Sequence, residues 1–358
     1  MKRGFFLNCI IFLLFSCGDG NKFYSTDMCL ITNNQNRTKT VALHSVSDIS
    51  SYVNGLLCID NYLVVIQQNK DSVFKIIDTR NDSVVSCFGK VGHSGDEFLN
   101  IPQRVYFVRG KDGHPLLCVQ EKMHTKIIDL IRSIKYNKCF INAIIKENKD
   151  FLFYYTFHLP DGNCLNYKKI SYEDARDNVY IKPIFYIDGE SKMEWDVFPN
   201  IITSDFPNLF DCAYSMNVQI TPTGKYVVGI QNFIDIVTII NIDRNKSIGI
   251  INPSSYTLED MESDFNKKNI SENLKWYNTS SCVTDHCFMV LKDGRFYRDV
   301  VNEDSESGNS VIYTYDWNGK LLSSYTMNKR VTNIAYCDIT NKLYVIGSSN
   351  KLYSCILK

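Results

Sequence analysis

Asn61-Tyr62-Leu63-Val64-Val65-Ile66, a polar turn around Asn69–Asp71, then Val73-Phe74-Lys75-Ile76-Ile77-Asp78 is the stretch that decides the fold. Two short runs rich in β-branched and aromatic residues, separated by turn formers, read as an antiparallel strand pair. The pattern recurs. His114–Val119 with Thr125–Asp129 repeats it, as do Lys225–Ile230 with Ile236–Asn241 and Lys342–Gly347 with Lys351–Ile356. Two weaker copies, Asp150–Phe157 with Cys164–Ile170 and His286–Leu291 with Val311–Tyr315, fill the gaps. The six copies begin near positions 61, 115, 151, 225, 286 and 342, a spacing suited to four-stranded units carrying variable loops.

Such a unit cannot bury both faces alone, so copies must stack, and closing the stack into a ring protects the strand edges. The expected architecture is all-β, a six-bladed β-propeller over residues 38–358. The last copy has only two clear strands after Lys342. A strand near Thr38–Leu43, or Met28–Thr32, is expected to complete the C-terminal blade and lock the chain ends together. Little helix is expected. Thr257–Asp260 resembles a capping box opening a short helix to Lys268, and a polar insert runs over Ser171–Asn178.

The N-terminus has a different character. Met1-Lys2-Arg3-Gly4 precedes an apolar run from Phe5 to Phe15, broken only by Asn8, and then Ser16-Cys17. A charged start, a short apolar core and a small residue before a cleavage point describe a secretory signal over residues 1–16. The run is shorter than the roughly 20 apolar residues that span a bilayer. Leu14-Phe15-Ser16-Cys17 resembles the bacterial lipobox, with Phe15 bulkier than usual there. That resemblance implies cleavage before Cys17, a lipid on its sulfur, and residues 17–37 as a tether. The protein is then exported and lipid-anchored in the cell envelope, on its periplasmic face or at the cell surface.

Phe88-Gly89-Lys90-Val91-Gly92-His93-Ser94-Gly95-Asp96-Glu97-Phe98, followed by Ile101-Pro102, resembles the inter-blade signature of NHL-like propellers. It resembles more closely a family of six-bladed, TolB-like propeller lipoproteins of Gram-negative envelopes. The resemblance implies a fold and carries no general activity. The residues agree on physical grounds: the glycines permit positive φ in a tight connection, Phe88 and Phe98 anchor the loop ends, and Glu97 accepts from loop amides. The spacing matches neither a dinucleotide fingerprint nor a P-loop, so the loop is read as structural.

Zero net formal charge gives no footing for a polyanion, so no nucleic-acid partner is expected. Of 13 cysteines, Cys9 lies in the signal and Cys17 takes the lipid, which leaves an odd eleven. Cys58, Cys118 and Cys355 sit inside apolar strand runs and read as buried thiols acting as small hydrophobes. Cys282 and Cys287 could form one local disulfide. The histidines His44, His93, His114, His124, His158 and His286 are scattered, and no metal or cofactor site is read from them. Asp161-Gly162, Asp293-Gly294 and Asn318-Gly319 read as turns needing positive φ.

No catalytic residue is assigned. The expected role is binding of a protein or glycan-derived ligand on one face of the ring, with Trp195 and Phe198 in an aromatic insert as candidate rim residues. An envelope hydrolase or lyase using the central channel is the alternative, and a purely structural part of an envelope complex is a third. Asp71-Ser72-Val73 and Asp82-Ser83-Val84 resemble an O-glycosylation acceptor of some anaerobic Gram-negative envelope proteins, which makes Ser72 and Ser83 candidate sites.

Overall fold

The structure is a computed structural model, and it describes residues 29–32, 38–49, 51–121, 124–147, 155–159, 161–167, 184–188, 191–195, 215–251, 275–296, 299 and 308–357. The signal, Cys17, most of the tether, the 257–268 segment, the 171–178 insert and Phe198 lie outside the described residues.

Three N-terminal strands come first: β1 (Cys29–Thr32), β2 (Lys39–Val41) and β3 (His44–Asp48). Strands β4 to β7 (Val53–Ile59, Tyr62–Gln67, Phe74–Asp78, Ser83–Phe88) form blade 1. Strands β8 to β11 (Arg104–Arg109, Pro115–Gln120, His124–Asp129, Ile141–Lys146) form blade 2, interrupted by helix α1 (Leu130–Tyr136). A further sheet holds β12 to β15 (Tyr155–His158, Cys164–Tyr167, Ile184–Asp188, Ser191–Trp195). Blade 3 is β16 to β19 (Met216–Ile220, Tyr226–Gln231, Ile236–Asn241, Lys246–Ile251), and blade 4 is β20 to β23 (Lys275–Val283, Cys287–Phe296, Ser310–Asp316, Leu321–Met327). Blade 5 joins β24 to β26 (Val331–Cys337, Lys342–Gly347, Lys351–Ile356) with β3. Each of these sheets is an antiparallel meander, and the fold is an all-β propeller.

The ring closes through five blades, which corrects the expected six. Apolar clusters join blades 1 and 2 around Phe74, Phe88, Phe98 and Leu117. Others join blades 3 and 4 around Val228, Phe288 and Trp317, blades 4 and 5 around Leu291 and Val345, and blades 5 and 1 around Leu63 and Tyr344. Blades 2 and 3 then meet directly: the Arg109 amide donates to the Pro222 carbonyl at 2.8 Å. The β12–β15 sheet lies in sequence between these two blades but enters none of the apolar clusters among the described residues.

Closure comes from the N-terminus, one strand later than expected. Strand β3 pairs antiparallel with β26, Tyr353 opposite Ser45, so blade 5 is completed by the chain's own start. The two candidate segments strap its neighbours instead. Strand β2 runs parallel to β23 on the outer edge of blade 4, and β1 runs parallel to β19 on blade 3. Three consecutive outer edges are thereby paired, which removes the unpaired ladder groups that make edges prone to aggregation. On blade 1 the outer strand β7 is met by α1. The helix ends at Asn137 in the left-handed conformation, φ 51°, and its side-chain oxygen accepts from Cys87 N at 2.8 Å and Ser86 Oγ at 2.9 Å.

The glycine-rich loop is a structural connector, for a reason partly different from the one expected. Phe98 is fully buried and meets Phe74 edge-on at 5.5 Å, while Phe88 tilts against the same ring. Gly89 has φ +85°, a value that costs a side-chain-bearing residue about 1–3 kcal/mol. Gly92 and Gly95 have no positive φ. A Cβ at Gly92 would meet only the tip of the Glu97 side chain, which would have to move aside. Glu97 Oε2 accepts from Ser94 N at 3.0 Å, the loop-amide role expected of it.

Candidate functional site: a cavity on the ring axis

The first strand of each sheet lies innermost, and together these strands enclose a cavity of about 200 Å³ on the axis. Its upper mouth opens where the inner strands begin. Tyr52, Asn54, Gln68, Gln103 and Asn333 surround it. Asn54 Oδ1 accepts from Gln68 Nε2 at 3.0 Å, which ties two amides of the rim together.

Below the rim one side of the wall is polar and uncharged. Asn217 and Gln219 come from β16, and Ser280 and Ser281 from β20. Gln219 Nε2 donates to the Ser281 carbonyl at 2.8 Å, bridging blades 3 and 4. The Ser281 hydroxyl is buried without a partner. The opposite side is aromatic. Tyr106 of β8 meets Phe157 of β12 edge-on at 4.9 Å, Phe157 stacks with Tyr155 at 5.9 Å, and the Arg104 guanidinium lies 5.0 Å from the centre of the Tyr155 ring. The β12–β15 sheet thus contributes one wall of the cavity without being a blade of the ring.

Polar contacts seat that wall. Thr156 N donates to Gln120 Oε1 at 3.3 Å, His158 N to the Tyr106 hydroxyl at 2.7 Å, and the His158 ring lies 2.9 Å from Glu147 Oε1. Burial pushes the Glu147 carboxyl up, but hydrogen bonds from His158 and from Thr125 at 2.7 Å outweigh it and leave the group below its ordinary range.

The lower mouth is charged. Asp60, Asp285 and Asp338 stand at the ends of β4, β20 and β24, and Arg109 ends β8. Its guanidinium binds Asp60 at 2.8 Å and lies 3.8 Å from Asp285. The Asp60 hydrogen bond holds Arg109 still more firmly protonated. Cys58 and Cys282 line the lower half of the cavity. Burial raises both thiols, so they are protonated and unreactive.

The residues singled out from sequence fall elsewhere. Trp195 is buried on β15, 5 % exposed, so its ring packs inward. The Ser72 hydroxyl is buried, whereas Ser83 is exposed and its hydroxyl donates to Asn81 Oδ1 at 2.8 Å. Cys282 and Cys287 are buried free thiols, as are Cys118 and Cys355, while Cys58 is half-buried and free. Among the histidines, His93, His114 and His286 are exposed, while His124 pairs with Glu121 and His158 with Glu147. No group of metal-ligating side chains forms among the described residues. Gly162 and Gly319 have the positive φ expected of their turns; Gly294 has it within β21 rather than at a turn.

The cavity residues escaped sequence reading, yet a signal exists. Asn54, Asn217 and Asn333 each stand about eight or nine residues before the start of an obvious strand pair. An amide at that distance upstream sits near the start of the inner strand.

No protein-family model matches the chain, and no curated protein matches it in sequence. Solved structures do resemble it. A protein from Bacteroides fragilis described as exported shares 10% identity over 92% of this chain and 100% of its own, with a TM-score of 0.53. A member of the DUF4221 family from Bacteroides vulgatus shares 11% identity over 91% of this chain and 97% of its own, with a TM-score of 0.52. At such identities the likeness establishes the fold.

Proposed function

We propose that the protein is an exported, lipid-anchored binding module whose axial cavity receives the end of a protein or glycan-derived ligand. One observation carries this reading: the cavity opens at an amide-lined mouth and is lined by no Asp, Glu, His or Lys among the described residues. Amide side chains offer both donors and acceptors in fixed positions, which suits recognition. Acid–base hydrolysis of a glycan calls for a pair of carboxyl groups flanking the bond. The carboxylates here stand at the opposite mouth, and Asp60 is tied to Arg109. Binding is therefore favoured over the envelope hydrolase or lyase.

The export signal and Cys17 lipidation complete the proposal. Eleven residues lie between Cys17 and Cys29 of β1, twelve steps of chain that reach about 40 Å when extended. The tether then holds the outer edge of blade 3 near the bilayer. Ser83, exposed beside β7, is the candidate glycan acceptor that a transferase could reach. Intact-mass measurement of the mature protein checks both: residues 1–16 still attached removes the lipid anchor, and a mass equal to polypeptide plus lipid removes the glycan.

The function itself is tested with a cavity-filling variant, Asn217→Trp, and with His93→Ala as a surface control. Solubilised envelope glycan and protein fractions are passed over each immobilised full-length protein. Retention by wild type and by His93→Ala, with loss in Asn217→Trp of unchanged melting temperature, is the expected result. Equal retention by the filled variant places the site elsewhere. Shortened glycan chains released by wild type alone turn the reading to the enzyme.

A further inference from the structure

Resting on the reading of the cavity as a binding site, we infer that its ligand is the end of a neutral saccharide, seated as one pyranose ring between the aromatic wall and the amide wall. Four observations converge on this.

The first is shape. A cavity of about 200 Å³ falls below the roughly 300–1,000 Å³ of pockets that hold drug-sized ligands. It has room for one ring and its substituents. The charged Arg109–Asp60 pair stands at the far mouth, which makes the amide-lined mouth the entry for the end of a neutral chain.

The second is the pairing of walls. A pyranose has flat patches of C–H groups and a rim of hydroxyls. The Tyr155 and Phe157 rings, 17° from parallel, give such a patch an apolar surface with negative faces. Arg104 over Tyr155 braces that surface. Across the cavity, each amide can donate to one hydroxyl and accept from another.

The third is unmet hydrogen-bonding capacity. The side-chain amides of Gln103 and Asn217 hold no hydrogen bond to protein among the described residues. Ser281, 4 % exposed, lines the cavity with an unpartnered hydroxyl. A buried polar group left unpaired costs about 1–3 kcal/mol. Gln103 and Asn217, which are open to the cavity, can pair with ligand hydroxyls, and an apolar ligand would leave them unmatched.

The fourth is charge. Among the described residues no carboxylate lines the cavity to meet an ammonium, so a peptide N-terminus is unmatched by them. Arg104 is the sole charged lining residue among the described ones and is engaged by the Tyr155 face, so these residues form no cluster of cations for a phosphate or for a polyanionic sugar.

The test uses the full-length chain in a detergent without a sugar headgroup, because glucoside and maltoside detergents would occupy the site. Three probes are titrated by saturation-transfer NMR: a panel of neutral methyl pyranosides, glucuronate, and the diamide N-acetyl-alanyl-alanine amide. Saturable binding of at least one neutral pyranoside is expected, with C–H protons of the sugar saturated most strongly. Phe157→Leu and Gln103→Ala should each weaken it by about tenfold, or ~1.4 kcal/mol. Gln103 is exposed at the mouth, so its variant keeps the test valid should Phe157→Leu misfold. Absence of pyranoside binding, or preference for glucuronate, overturns the saccharide class. Binding of the diamide that Gln103→Ala weakens also overturns it, while leaving the cavity as the site. Pyranoside binding indifferent to both substitutions removes the cavity reading itself.

Discussion

Two seams of this molecule do the same mechanical job with opposite chemistry. Blade 1 is joined to blade 2 by Phe74, Phe88 and Phe98, all nearly or fully buried. The β12–β15 sheet is held to blade 2 by Gln120, Tyr106 and the Glu147–His158 pair. Burial of an aromatic side chain is worth about 1.5–3 kcal/mol, and is insensitive to pH. A hydrogen bond to a charged group contributes about 1.5–3 kcal/mol only while the charge persists. The first seam sets the ring; the second positions a wall of the cavity, and its strength depends on conditions. The difference teaches where adjustment is built in: beside the ligand, not in the ring.

The largest effect should come from cutting the apolar seam. Phe98→Ala removes a fully buried ring that two other aromatic or charged groups meet: Phe74 packs edge-on and Lys126 lies 5.1 Å from its centre. A loss of about 3–5 kcal/mol in urea unfolding is expected. A loss below about 1 kcal/mol would mean that the two blades are held by something other than this core. Gly89→Ala comes next. It imposes strain at φ +85° and brings a Cβ to 3.0 Å from Phe98, so about 1–3 kcal/mol should be lost. Stability equal to wild type would show that the loop can relax without disturbing Phe98.

These elements also mark what could be read from sequence. Five of the six strand-pair copies, those near positions 61, 115, 225, 286 and 342, became the second and third strands of the five blades. Alternation and β-branching are strongest there because both faces of those strands are buried. The copy near 151 is a true sheet, but a repeat counted along a chain says nothing about whether its seams close. Phe88 and Phe98 were legible as anchors because large apolar residues flanking glycines have few other roles. Gly92 was misread because its backbone has no positive φ, and a side chain there would meet only the movable tip of Glu97. The cavity was hidden for a related reason. Asn54, Gln103, Asn217 and Asn333 converge only after the ring closes, and each looks like an ordinary strand-end amide. Trp195 drew attention as an aromatic in an insert expected at the rim, but it is buried on strand β15.

The polar seam should respond to acid. Glu147 has its folded pKa below the ordinary carboxylate value, with His158 and Thr125 as hydrogen-bond donors and His124 adding its charge when protonated. A depressed carboxylate contributes stability that is fully present above the unfolded pKa of about 4.3 and is lost as pH falls through the folded value. Amide exchange in β12 should therefore accelerate below about pH 4, while exchange in β6 stays slow. Glu147→Gln should abolish the pH response and cost about 1 kcal/mol at neutral pH, where the charge is gone but one hydrogen bond can remain. Parallel acceleration in β6 and β12 would show that the sheet opens only with the whole ring.

The smallest effect is the one that separates loop architecture from loop function. Lys90 and His93 stand on the exposed side of the connection between blades 1 and 2, and neither enters the buried cluster. Replacing either with alanine removes side chain from water and leaves the turn intact, because Gly89, Gly92 and Glu97 supply the backbone conditions. Each should shift stability by less than about 0.5 kcal/mol. The loop also lies outside the cavity, whose lining begins at Gln103 on this side. His93→Ala should thus leave both the melting curve and pyranoside binding unchanged. An unchanged melt with lost binding would extend the site from the cavity onto the rim, and the apolar seam would then carry recognition as well as closure.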